Sequence, residues 1–162
     1  MAAPGASNNE RLLHAAKQDD DGLILEIFGQ PTTFDINHVD GLGNTALHYA
    51  VKSGSADVLE QILEHDDCDV DPQNRLERAT PLHMAAQLED KEVRFKIVKS
   101  LLDAGADMRI RDKHGSLAVD LLPGDDEETR KLFRKAQADA AISKADIAGD
   151  SDGEEGSGSG ED

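Results

Sequence analysis

The sequence predicts an all-α solenoid, in which helix–turn–helix units stack in a row with short β-turn fingers between them. Three observations carry this. The stretch Thr80-Pro81-Leu82-His83-Met84-Ala85-Ala86 echoes Thr45-Ala46-Leu47-His48-Tyr49-Ala50, 35 residues earlier, and a period of this size marks stacked helical repeats. After each copy comes a second apolar stripe at helical spacing: Val58, Leu59, Ile62 and Leu63, then Ile97, Val98, Leu101 and Leu102. Trp is absent and there is one Tyr among four Phe, so Leu, Ile, Val and Ala must build a thin core. Such a core suits layers that touch only their neighbours.

Each part of the motif has a mechanical use. Thr ahead of Pro is a good helix start, because the hydroxyl accepts from a first-turn N–H and Pro lacks one there anyway. Leu47 and Leu82 anchor the helix, and Ala85 and Ala86 keep its far end thin enough for close packing of the next unit. With its flanks the motif resembles the ankyrin repeat family. The likeness rests on TPLHxAA at 80–86, on Asp40-Gly41-Leu42-Gly43-Asn44 ahead of the earlier copy, and on Gly105-Ala106-Asp107 behind the later one. It covers roughly residues 8 to 140. The resemblance implies that His48 and His83 hydrogen-bond between adjacent turns.

In chain order, residues 1–6 are small and read as a flexible N-terminus. Ser7 and Glu10 have capping-box spacing and start a helix through Leu12, Leu13, Ala15 and Ala16. Leu23, Ile24, Ile27 and Phe28 form its partner, which Gly29-Gln30-Pro31 ends; Asp35-Ile36-Asn37 leads into the next turn. This first repeat spans about 7–39, the second 40–73, the third 74–111 and a terminal cap 112–141. In the second finger-forming stretch Arg75-Leu76-Glu77-Arg78 replaces the glycine-bearing turn and is one residue longer, which predicts a more open finger. An insertion at Glu89-Asp90-Lys91-Glu92-Val93-Arg94-Phe95 adds about one turn to the start of the outer helix and preserves the phase of Ile97 and Val98. Phe95 then packs under the loop or lies over the stack's edge. Pro123-Gly124 ends the Leu117–Leu122 apolar segment, and Asp125, Asp126, Glu127 and Glu128 supply charge to the start of a last helix carrying Leu132 and Phe133 inward. That helix is expected to end near Ala141. Residues 142–162 are too poor in apolar side chains to offset their ordering entropy and read as an acidic disordered tail.

The net charge is −17, of which residues 143–162 carry −6. Direct nucleic-acid binding, which needs Lys and Arg against phosphates, is disfavoured throughout. A basic protein partner is compatible with such a field. No run is apolar enough to span a membrane, and no signal peptide is evident, so a cytoplasmic or nuclear monomer is expected.

A search for chemistry returns little. No phosphate loop, dinucleotide fingerprint or nucleophile elbow occurs. His65 and His114 lack second-ligand spacing, and Asp19-Asp20-Asp21-Gly22 lacks the distal ligands of a calcium loop, so no metal or cofactor is expected. Cys68 stands among acids that raise a thiol pKa. The expected function is therefore a non-catalytic protein–protein interaction module using its concave, finger-bearing face. By the family's pattern that face presents Gly41, Leu42 and Asn44; Arg75, Leu76 and Glu77; and Lys113, His114 and Ser116. The ends of the inner helices add Lys52, Ser53, Gln87 and Leu88. Leu42 and Leu76 stand out, since an apolar tip is wasted unless something covers it. The alternative is an acidic escort for a basic client such as a ribosomal protein or histone. Ser151 and Ser159 each have an acid three residues on, the spacing of an acidophilic kinase site. An intact mass of protein from its native cell, shifted by one or two phosphates, is the expected outcome; an unmodified mass rejects the reading.

Overall fold

A side chain caps the start of every described α-helix except the one that follows Ser55, whose hydroxyl makes no such bond. The computed structural model describes residues 7–30 and 34–153, with side chains described as far as residue 143. The expected flexible segment 1–6, Pro31, and the end of the tail with Ser159 lie outside the described residues, as does the side chain of Ser151. Among the described residues there are no strands. Seven α-helices occur: α1 (Asn8–Gln18), α2 (Asp21–Gly29), α3 (Ala46–Ser53), α4 (Ala56–Leu63), α5 (Pro81–Ala86), α6 (Lys91–Asp103) and α7 (Glu127–Gly153), with one 3-10 turn at Ala118–Leu121. An inner row runs α1, α3, α5 and the 3-10 turn; an outer row runs α2, α4, α6 and α7. The predicted stack of helix pairs is present.

Small residues set the spacing of the inner row. Leu12, Leu47 and Leu82 are buried at equivalent positions, and Ala15, Ala50 and Ala85 beside them have no exposed surface. Each alanine leaves room for the neighbouring helix, and a larger side chain there would force overpacking. Ile24 and Ile27, Val58, Leu59 and Ile62, and Ile97, Val98 and Leu101 fill the space between the rows.

The imidazoles fix that spacing. Thr45 caps α3 by accepting from the His48 amide at 3.3 Å, and the His48 ring returns the bond by accepting the Thr45 amide at Nδ1, 3.1 Å. His thus takes the part that Glu or Gln plays in a capping box. With Nδ1 accepting, Nε2 carries the proton, and it donates across to the Ala79 carbonyl of the next unit at 3.0 Å. His83 repeats every contact, with Thr80 at 3.2 Å and the Ser116 carbonyl at 2.9 Å. Both rings are buried. Burial lowers the His48 pKa, more than the carbonyl contact raises it, so the ring is neutral when folded.

A second ladder joins the loops that lead into the fingers. The Asp35 amide donates to Asn9 Oδ1 at 2.7 Å, the Asp69 amide to Asn37 Oδ1 at 2.7 Å, and the Asp107 amide to Asp71 Oδ1 at 2.9 Å. In the first two lead-ins the residue two places beyond the Asp, Asn37 or Asp71, supplies the acceptor for the next loop, and Asn9 of α1 serves the first. Burial raises the Asp71 pKa, and neighbouring Asp107 and Asp69 add to it.

The insertion does lengthen α6 at its start, where Asp90 accepts from the amides of Glu92 and Val93. Its consequence was not foreseen. Arg94 lies one turn before Ile97 and Val98, on the buried face, and its Nε meets Asp126 Oδ2 at 2.6 Å with both side chains almost wholly enclosed. Nη1 donates to the Leu88 carbonyl at 2.6 Å. Asp126 in turn accepts the Thr129 amide at 3.1 Å, capping α7. Asp126 is thus not a solvated charge at a helix start but the bolt between cap and third repeat. Burial alone would raise its pKa, yet the hydrogen bonds from Thr129 and Arg94 outweigh it and hold the carboxyl below its usual range. Phe95 is half-buried and stands apart from the core cluster. The last helix does not end near Ala141 but continues to Gly153.

Three outcomes follow from these contacts. His83→Ala should cost about 2–4 kcal/mol in urea unfolding, from a cavity and a stranded carbonyl, while His83→Gln keeps the capping half and costs less. Arg94→Ala should cost about 3–5 kcal/mol, because it leaves a buried carboxylate unpaired. Since the folded Asp126 pKa is depressed, its contribution is present above the unfolded carboxylate pKa and is lost as pH falls through the lower folded value. Asp126→Asn should therefore flatten the acid limb of stability against pH, measured from about pH 6 downward.

Candidate functional site: the finger tips and inner-helix ends

Three turns stand in a row on one edge of the stack. The Asp40 amide closes the first by donating to Asn44 O at 3.1 Å, the Asn74 amide the second on Ala79 O at 3.0 Å, and the Asp112 amide the third on Ser116 O at 3.0 Å. In the outer two, an Asp carboxylate accepts two amides of its own turn: Leu42 and Asn44 for Asp40, His114 and Ser116 for Asp112. Both carboxyls are held below the usual range. For Asp40, burial opposes this but hydrogen bonds from Tyr49 and the turn amides prevail; for Asp112, the Ser116 amide is the main cause.

The middle finger was expected to be more open, and it is not. Asn74 Oδ1 accepts the Glu77 and Ala79 amides at 3.2 and 3.1 Å, doing the work of the aspartate. Arg78 takes the left-handed position at φ 53 that Gly43 and Gly115 take at φ 79 and 80. A non-glycine residue there is strained but accessible, and the ring of hydrogen bonds holds it. The fingers are also tied to one another: the Arg75 amide donates to Leu42 O and the Lys113 amide to Glu77 O, each at 2.9 Å. At Gly43 a Cβ would meet the Arg75 nitrogen at 2.8 Å, so this close approach requires glycine.

Of the positions expected to face a partner, Gly41, Leu42, Arg75, Leu76, Lys113, His114, Lys52 and Gln87 are exposed. Leu42 is 54% and Leu76 64% exposed, on adjacent tips. Glu77 reaches the third finger, 3.7 Å from Lys113 Nζ and 3.4 Å from His114 Nε2. Ser53 is exposed as well, and it and three further positions make contacts within the scaffold. Asn44 accepts from Asn74 Nδ2 at 3.0 Å. The Ser53 hydroxyl donates to the Ala16 and Lys17 carbonyls at the end of α1, at 3.2 and 3.1 Å. Leu88 packs against the core, and its carbonyl holds Arg94. Ser116 is half-buried, with its carbonyl given to His83. The remaining motif residue, Gly105, follows α6 at φ 92.

Two residues of this face were missed. Arg78 is exposed beside Leu76. Lys17 lies 4.6 Å from the Tyr49 ring centroid; it holds the register position of Lys52 and Gln87, one period earlier, which was a usable signal. Lys17, Lys52, Arg75, Arg78 and Lys113 are exposed on this face, which also carries Asp40, Glu77 and Asp112 at the fingers and exposed Asp19, Asp20, Glu89 and Asp90 at the inner-helix ends.

Cys68 and His65 are held by their surroundings. Burial, with Asp69 second, pushes the Cys68 thiol up to about 11, where it is a poor nucleophile. His65 packs against Phe28 and Phe34, ring centroids 5.4 and 5.5 Å away. Among the described residues no three His, Cys, Asp or Glu side chains gather to hold a metal ion, and no helix is long and apolar enough to cross a membrane.

Known proteins show the same pattern. The profile for ankyrin repeats, in three copies, matches residues 12–112. An ankyrin repeat-containing protein of Saccharomyces cerevisiae is 36% identical over 167 residues, covering 95% of this chain and 91% of its own length. Ankyrin repeat and SOCS box protein 6 of Homo sapiens is 40% identical over 75 residues, 46% of this chain and 17% of that protein. Ankyrin repeat and SAM domain-containing protein 6 of Rattus norvegicus is 33% identical over 111 residues, 68% of this chain and 12% of that protein. The shared repeats, the paired imidazole bridges and the near-complete overlap with the yeast protein lead to one conclusion: the chain belongs to the ankyrin repeat family.

Proposed function

We propose that this chain is a non-catalytic protein-interaction module that grips its partner with the finger tips and the ends of the inner helices. Ankyrin repeats generally mediate protein–protein contacts, and the observation that carries the reading here is the pair of exposed leucines, Leu42 and Leu76. They sit on neighbouring turns already joined by a backbone hydrogen bond. Rigid apolar anchors cost little entropy to bury, which is what a binding surface needs. Arg75 and Arg78 beside Leu76 favour a partner surface that sets carboxylates next to apolar side chains. An escort of basic clients draws support from net charge alone. A monomer in the cytosol or nucleus goes with this reading, given one half-buried cysteine and no paired thiols.

The test is affinity purification from the native cell with a Leu42→Ser/Leu76→Ser protein, against Leu25→Ser as a control on the far side. Both should melt like wild type, since all three residues are largely exposed. The tip variant should lose the proteins that wild type enriches, and the Leu25 variant should keep them. Retention by the tip variant, with loss on a salt wash or on removal of residues 154–162, would favour the escort instead.

A further inference from the structure

The C-terminal end of the stack bears an open groove of about 960 Å³, lined by the lead-in to the third finger, the 3-10 turn and α7. Its floor includes Val119 and Phe133. Around them stand Arg109, Arg111, Arg130 and Arg134, four of the chain's 17 Lys and Arg residues, against two aspartates in the same lining, Asp71 and Asp107. Asp107 holds Arg109 at 3.0 and 3.2 Å, Arg130 and Arg134 share Glu127, and Arg111 donates to a neutral carbonyl, Gly115 O, at 2.7 Å. Four guanidinium forks thus lean on few carboxylates and keep donors to spare.

The ladder of lead-in loops explains what this groove is for. Asn9, Asn37 and Asp71 each offer an oxygen to the next loop's amide. The next position in that series, two residues beyond Asp107, is Arg109, whose amide donates to Asp107 Oδ1 at 2.9 Å as Asn37 and Asp71 do in their own turns. An arginine side chain cannot accept. Here the ladder changes from acceptor to donor. Among the described residues no loop covers it, because α7 runs on to Gly153 where α4 and α6 end within a few residues of a new lead-in.

We propose that this vacant step binds an extended segment of a partner protein that alternates carboxylates with apolar side chains. Carboxylates meet the guanidinium forks in bidentate fashion, and the apolar residues lie on Val119 and Phe133. The site is separate from the finger tips and does not depend on them.

Fluorescence anisotropy with a labelled ten-residue peptide of alternating Leu and Glu tests it. That peptide should bind, while one of alternating Leu and Lys should not. Arg109→Glu/Arg134→Glu, at two exposed positions and with an unchanged melting temperature, should weaken binding at least about tenfold. Leu42→Ser/Leu76→Ser should leave the affinity as it was, which keeps this outcome apart from the fate of the finger-tip reading. The proposal is overturned by absence of binding, or by equal binding of a Ser-Glu peptide, which would mean charge attraction alone. It is also overturned by indifference to the charge reversal, or by a tenfold gain on removing residues 154–162, which would make the chain's own acidic end the occupant.

Discussion

A neutral imidazole that accepts at one nitrogen and donates at the other holds this molecule together. His48 and His83 each read the start of their own helix through Nδ1 and the base of the next finger through Nε2. The donor distances, 3.0 and 2.9 Å, set the step between layers. Only alanines such as Ala50 and Ala85 let the helices come that close. The two features need each other, because a wider helix spacing would strand a buried N–H and a buried carbonyl together.

The same step governs the outside of the stack. Fingers joined at 2.9 Å and lead-in loops joined through side-chain oxygens are further threads wound at one pitch. Where Asn37 serves as a neutral linker, Asp71 offers a carboxylate, and burial together with Asp107 and Asp69 raises its pKa. At the far end the pattern is closed by different means. Arg94 and Asp126 form a buried ion pair that adds a specific register to the packing of α6 against α7, where Phe133 lies in the core.

Periodicity and capping were legible from the residues. Ser7 with Glu10, Thr45, Thr80, the paired stripes and the inserted turn all lie where local rules place them. What escaped were side chains whose surroundings come from another repeat. Arg94 reads as one more charge in a charged insertion, although its spacing to Ile97 and Val98 marks the buried face; Asp126, 32 residues away, decides the matter. Asn44 and Ser53 read as surface until Asn74 and the end of α1 arrive beside them. The length of α7 escaped for another reason. Poverty in apolar side chains argues against burial, and says little about local helix formation in a run as rich in alanine as 136–141.

The middle finger carries one more consequence. Arg78 sits in a backbone conformation that unconstrained arginine avoids, pinned there by Asn74 and by the turns on either side. A shape forced during folding does not have to be found again at encounter. A visiting surface therefore meets Leu76 already aimed, and selectivity at that tip rests on fit more than on adaptation.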